Sequence, residues 1–223
     1  MRTMTITDRL LTPGAAHGRP GTAIKPVGVV IHYVGNPGSS AEANRNYFEA
    51  GAAGGRASAH YIVGLKGEIL RCIPETELAN HAGKSYGAQW DAMAKTNNHR
   101  YIGVETCHPD ATGKFSDITM ESLIWLVSDI CVRRGFDPRA AVLRHYDVSG
   151  KSCPLYYVKN PAAWTALKDK IIARVVKPKP LVELVAEKIG LNSPGLWQDV
   201  IDGKRIATAD QVRSLFEKIA AAI

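Results

Sequence analysis

Residues 27–34, VGVVIHYV, form an apolar run rich in valine and isoleucine with one histidine inside it. Branched side chains of this kind are stiff and pack well on a pleated surface, so the run reads as a buried strand. A buried strand needs packed layers around it, and the rest of the chain supplies them. After the NPGSS turn, Ser39 and Glu42 fit a capping box, and a helix is expected from about 40 to 50. The glycine-rich segment 51–58 reads as a loop. Residues 59–64 and 68–73 read as two strands joined through LKGE, where Gly67 is the hairpin signal. Residues 101–107, YIGVETC, read as another strand.

From 118 to 134 the apolar residues Met120, Leu123, Ile124, Val127, Ile130 and Cys131 recur at helical spacing, and Gly135 stands where a helix cap belongs. Residues 141–144 are expected to form a short strand. Asn160 and Pro161 open a last helix whose buried face carries Trp164, Leu167 and Ile171. Strands and helices interleave, so the expected class is α/β: a mixed central β-sheet flanked by helices. The composition changes at VKPKP, residues 176–180, where proline breaks the helix and stiffens the chain. The expected organisation is a main domain over 1–176, a linker at 177–180 and a small helical segment over 181–223. In that segment Thr208 and Gln211 repeat the capping-box pattern.

With 45% hydrophobic and 22% charged residues, disorder is a poor reading of most of the 223 residues. The formal net charge of +7 draws a protein toward polyanions: nucleic acid, anionic membrane or an acidic wall polymer. Charge alone does not choose among them. The chain carries no nucleic-acid recognition motif. No run approaches the roughly 20 apolar residues of a membrane span. The first fourteen residues contain no secretory signal, so the expected location is a cytoplasm until something releases the protein. Under those conditions the four cysteines are not expected to form a disulfide framework. Cys72 and Cys107 in strands, and Cys131 on an apolar helix face, read as core.

Cys153 is different. With His32 and His145 it provides the residue types of a zinc site, which takes imidazole nitrogen and thiolate sulfur and, when catalytic, keeps three protein ligands. His32 lies near the end of the buried strand, His145 just past another, and a Ser-Gly turn allows the loop to bring Cys153 back. The spacing by itself favours a satisfied structural role over ligation for either histidine taken singly. The compact HxxxxH and CxxC spacings of common zinc sites are absent.

Five segments occur in order: VVIHYVGNPG, SAHYIVG, NHAG, IGVETC and RHYDVSGKSCP. Together they resemble the type 2 N-acetylmuramoyl-L-alanine amidases, a family that includes many phage endolysins and shares its fold with peptidoglycan recognition proteins. The resemblance covers about residues 24–172. It implies a mixed sheet with flanking helices, one zinc per chain in a surface groove, and hydrolysis of the bond between N-acetylmuramic acid and L-alanine in peptidoglycan. His32, His145 and Cys153 match the zinc ligands. Lys151 matches a lysine beside the substrate carbonyl, Glu105 an acid that activates water, and Tyr61 a tyrosine that lines the zinc site in another branch. His81, in NHAG, matches a substrate contact, although Asn80 replaces the aromatic residue usual before it.

The chemistry is consistent with those roles. A carboxylate in an apolar strand is costly unless it is paired or used. A base beside an activated water and a cation beside the developing oxyanion are what amide hydrolysis needs. On a strand His60 and Tyr61 point to opposite faces, and Tyr61 is the one expected to face the metal. His17, His99 and His108 have no assigned role. The alternative is a wall-recognition module of the same fold without catalysis. Such proteins usually lack the zinc cysteine, whereas Cys153 is present here. The segment 181–223 is then expected to target the wall or assist the main domain. The sequence leaves the oligomeric state open.

Overall fold

The computed structural model describes residues 4–175, 194–202, 204 and 206–221. The chain divides into two compact units, Met1–Val175 and Val176–Ile223. In the first, six strands form one sheet: β1 (Ile6–Asp8), β2 (Gly28–Ile31), β3 (Tyr61–Val63), β4 (Ile69–Arg71), β5 (Tyr101–Thr106) and β6 (Val142–Arg144), in the order β1-β4-β3-β5-β2-β6. Only the β3–β4 hairpin is antiparallel. The sheet is therefore mixed, as the interleaved pattern implied. The expected hairpin turn is present, with Gly67 at φ 74°, a left-handed conformation that glycine adopts without strain.

The buried strand read at 27–34 is β2, and it lies between β5 and β6. Val29, Val30 and Ile31 are each fully buried, which explains the absence of alternation. Regular pairing ends at Ile31, but the edge continues past it. The amide of His32 donates to Val104 O at 2.9 Å, and that of Val34 to Thr106 O at 3.2 Å.

One face of the sheet carries Val29, Ile31, Tyr61, Val63, Ile102 and Val104. These pack on α3 (Asp117–Arg134) and α7 (Pro161–Val175) through Leu123, Leu126, Ile130, Leu167 and Ile171. α3 starts at Ser116, whose hydroxyl accepts from Thr119 N, and stops at Gly135 with φ 67°. The opposite face carries Val30 and Ile62 in two smaller clusters. Phe48 of α1 (Ala41–Glu49) packs with Ile62.

Three local readings change. The cap of α1 is Ser40, accepting from Ala43 N, rather than Ser39, whose hydroxyl donates to Asn36 O and accepts from Asn44. Glu42 turns outward to pair with Arg9 instead of closing a capping box. A helix α2 (Asp91–Arg100) forms where no apolar stripe announced one. Short helices α4 (Pro138–Ala141), α5 (His145–Ser149) and α6 (Leu155–Lys159) fill the connections around β6.

The second unit has helices Pro194–Ile201 and Ala209–Ala221. The Thr208–Gln211 capping box is formed in both directions, at 2.8 and 3.3 Å. The linker read at 177–180 and the apolar residues Leu181, Leu184, Val185 and Ile189 lie outside the described residues. No described helix is long and apolar enough to cross a membrane.

At Gly28 a Cβ would overlap the carbonyl oxygen of Ala141. The close approach of β2 to that backbone therefore depends on the missing side chain. Gly28→Ala is expected to destabilise the fold by about 1–3 kcal/mol, the usual cost of overpacking, seen as a lower urea midpoint. An unchanged midpoint would show that the strand end can move aside freely.

Candidate functional site

The parallel register builds the site. Ile31 pairs with Val104 on one side and with Arg144 on the other. The next residue along each strand path is therefore Glu105, His32 or His145, and the three stand in a row at the carboxyl ends of β5, β2 and β6. Open α/β sheets bind ligands beyond the carboxyl ends of their strands, where side chains meet without ladder partners. Parity then selects the face. His32 follows Ile31 and so turns to the side opposite Val104 and Ile31, away from α3 and α7.

Cys153 reaches the row through the loop after α5. Tyr146 N donates to Cys153 O at 3.0 Å, and Gly150 N to Tyr146 O at 2.9 Å, so the loop folds back on itself. Gly150 has φ 79°, and a Cβ there would lie 2.6 Å from the Trp90 ring, so only glycine fits this turn. The candidate ligand atoms of His32, His145 and Cys153 all lie within 4.8 Å of one another. His32 Nδ1 is 3.8 Å from Cys153 Sγ and 4.0 Å from Glu105 Oε1. The His32 and His145 rings meet edge to face at 4.5 Å.

These residues suit a metal ion by a test independent of spacing. Both ring nitrogens of His145 are buried without a hydrogen-bond partner, as is Glu105 Oε2. Such orphaned groups are rare and costly in a native interior unless something else engages them. Burial pushes His145 down to about 3, with the Lys151 charge adding to the effect. Burial also lowers His32, helped by His145, His81 and Lys151. Both rings are thus neutral, the form that ligates metals. The Cys153 thiol is pushed up by burial and by Glu105. A divalent cation would reverse that balance and favour the thiolate.

Glu105 is raised to about 8, because burial outweighs the opposing pull of Lys151. Glu105 and Lys151 also line a groove of about 420 Å³ with Tyr33, Asn36, Asn44 and Tyr47. A base and a cation therefore face one open space beside the three-ligand cluster. Together these groups can hold a metal, accept a proton and stabilise a developing negative charge.

Two expectations change. Tyr61 does not face the cluster of His32, His145 and Cys153. It pairs in register with Val104, is 1% exposed, and packs in the core on the α3 side. Its hydroxyl donates to Glu75 Oε1 at 2.7 Å, and Arg133 and Arg134 bind the same carboxylate at 2.8 and 2.7 Å. Burial works against ionisation of Glu75, but hydrogen bonds from Arg133, Tyr61 and Arg134 prevail and bring it down to about 2. His60 does face the other way, as alternation requires. It is a satisfied structural residue: Gly103 N donates to its Nδ1, and its Nε2 donates to Glu77 O, both at 2.9 Å.

His81 comes to the site by a different route from the one expected. Its Nδ1 lies 2.9 Å from His32 Nε2 and its Nε2 3.0 Å from Tyr101 O. Both nitrogens are engaged inside the protein, which leaves neither for a substrate. Of the residues around it, Gly103 lies inside the IGVETC segment, whereas Asn98 belongs to no motif read from the sequence. Asn98 Oδ1 accepts from the amides of both His81 and Ala82.

A family model described as N-acetylmuramoyl-L-alanine amidase matches residues 22–155. The N-acetylmuramoyl-L-alanine amidase CwlL of Bacillus licheniformis is 34% identical over 157 residues, covering 69% of this chain and 43% of that protein. The N-acetylmuramoyl-L-alanine amidase BlyA of Bacillus subtilis is 33% identical over 181 residues, covering 77% and 48%. The chain thus spans less than half the length of these two relatives. A solved mutant endolysin from Bacillus subtilis is 27% identical with a TM-score of 0.61, covering 76% of this chain and 99% of that one.

Because Tyr61 serves the Glu75 cluster, Tyr61→Phe is expected to cost about 1.5–3 kcal/mol, the worth of a hydrogen bond to a charged group. Denaturant melts should show that loss while metal content stays that of the parent. Loss of metal in a folded Tyr61→Phe protein would return the tyrosine to the site.

Proposed function

The chain belongs to the N-acetylmuramoyl-L-alanine amidase family, and from that membership we propose that it is a zinc-dependent hydrolase of peptidoglycan. The bond cleaved is the amide between N-acetylmuramic acid and L-alanine. The observation that carries this reading is the cluster of His32, His145 and Cys153 beside a buried, unpartnered Glu105 oxygen. Two neutral imidazoles and one thiolate would hold a single zinc, leaving the centre with a net charge near +1. When bound, zinc lowers the pKa of a water to about 7 and polarises a carbonyl.

The chain's own groups divide the remaining work. Glu105 takes a proton from the attacking water and later delivers it to the leaving amine of L-alanine. Burial gives Glu105 a higher proton affinity than a solvated carboxylate, and the charge of a bound zinc would favour the ionised form that accepts the proton. Lys151 lines the same groove and offsets the charge that develops on the scissile carbonyl oxygen. Tyr33, Asn36, Asn44 and Tyr47 give that groove a mixed apolar and polar wall suited to a peptide attached to a sugar. A recognition module has no use for a buried base beside a metal cluster, which favours catalysis over binding alone.

On this reading the protein is a phage or prophage endolysin. It would wait in the host cytoplasm and act on the wall once the membrane is breached. The segment beyond 180 would raise its concentration on the wall without altering the chemistry.

Purified protein is expected to contain about one zinc per chain. Chelation should abolish release of L-alanine-terminated peptides from purified wall fragments, and added zinc should restore it. Glu105→Gln should keep its zinc and its fold yet slow turnover roughly a hundredfold or more. Full activity in metal-free protein, or in Glu105→Gln, would overturn the mechanism.

A shortened chain ending near Val176 is expected to bind zinc and cleave small soluble wall fragments at the full-length rate, but to act more slowly on intact walls. Equal action on intact walls would remove the targeting role. Loss of activity on soluble fragments would show that the segment completes the catalytic fold.

A further inference from the structure

His32 is linked through His81 to the backbone. His32 Nε2 lies 2.9 Å from His81 Nδ1, and His81 Nε2 lies 3.0 Å from the carbonyl oxygen of Tyr101. A carbonyl oxygen can only accept, so His81 Nε2 carries a hydrogen. A neutral imidazole has one N–H, so His81 Nδ1 is bare and can only accept. The hydrogen between the two rings therefore belongs to His32 Nε2. That leaves His32 Nδ1 with an exposed lone pair, and it is the nitrogen turned toward Cys153 Sγ and Glu105, at 3.8 and 4.0 Å.

We propose that His81 is a positioning residue that selects the Nε2–H tautomer of His32 and so presents Nδ1 to the metal. The consequence for zinc rests on the reading of the preceding subsection; the tautomer assignment itself does not. A neutral histidine with no such partner exchanges between tautomers, and only one of them leaves Nδ1 free to ligate. An outer partner of a ligating imidazole fixes both tautomer and ring plane.

The surroundings are built to hold His81 in that role. Its ring stands at 84° to that of His32, with centroids 5.1 Å apart. Asn98 Oδ1 clamps its loop through the His81 and Ala82 amides at 3.1 and 2.8 Å. The ring lies against β5 at Gly103, where a Cβ would come within 2.6 Å of its Cγ. A glycine in the middle of a buried strand weakens it, and here the absent side chain is the space that the ring occupies. Neither nitrogen of His81 remains for a second task.

The test uses the full-length protein freed of metal, with long-range proton–nitrogen NMR of the imidazoles. His32 should show a protonated Nε2 and a bare Nδ1. In His81→Ala, with the fold checked by its amide spectrum, His32 should become a mixture of tautomers. Zinc affinity measured against a competing chelator should fall about 10–100-fold. His81→Asn, whose Oδ1 can accept near the position of Nδ1, should recover part of both. A protonated Nδ1 on His32 in the parent protein would overturn the proposal. So would a folded His81→Ala protein with unchanged tautomer and unchanged zinc affinity. If His81→Ala does not fold, the parent spectrum and the asparagine variant decide. A parent protein with the expected tautomer but no zinc uptake would sink the zinc reading while supporting the tautomer assignment.

Discussion

The parallel register of β5, β2 and β6 is the constraint on which the site depends. Because Ile31 is held between Val104 and Arg144, the next step along the sheet sets Glu105, His32 and His145 side by side. A one-residue slip in any of these strands would send its member to the opposite face. The slip is prevented by the apolar residues one position earlier, since Ile31 and Val104 are buried against α3 and α7. The packing of one face thus fixes the chemistry of the other. Cys153 is the exception: it comes from a loop, and hydrogen bonds to Tyr146 and the turn at Gly150 do for it what register does for the rest.

Burial then sets the protonation states. His32, His81 and His145 sit where a charged imidazole would lose its solvation, and neighbouring charges add repulsion, that of Lys151 in the case of His145. Neutral rings are the form able to ligate a metal. The same burial raises Glu105, and the charge of Lys151 opposes it. On the far face the balance runs the other way. Glu75 is also buried, yet two arginines and a tyrosine hydroxyl keep it ionised. Two buried carboxylates on opposite sides of one sheet therefore have opposite characters, set by the number of donors each meets. That contrast separates a group with a high proton affinity from one held ionised for structure.

Much of this could be read in the sequence, and the failures have particular causes. β2 was legible because its valines and isoleucine do not alternate with polar residues. α3 was legible because its apolar residues recur at helical spacing and Gly135 ends them. The helix α2, DAMAKTNNHR, was not, because only Ala94 and Asn97 of its residues are buried and no apolar stripe exists to be seen. Asn97 earns its burial through hydrogen bonds to the Ala82 and Val148 carbonyls, a long-range pattern with no local signature. Alternation correctly put His60 and Tyr61 on opposite faces, but it carries no information about which face holds the cluster of His32, His145 and Cys153. That depends on which residues of β2 and β5 lie alongside.

By itself, then, the sequence determined the residue types and the periods: an α/β sheet with a buried central strand, two histidines and a cysteine able to bind a metal, and a glutamate with no apolar reason to be where it is. These follow from local chemistry and are readable one segment at a time. Only the tertiary structure decided that Tyr61 serves Glu75 and that His81 lies behind His32. Both outcomes depend on strand register, on the side of the sheet that α3 covers, and on the space left at Gly103. Those are relations between segments distant in the chain, and they have no value until the segments are packed.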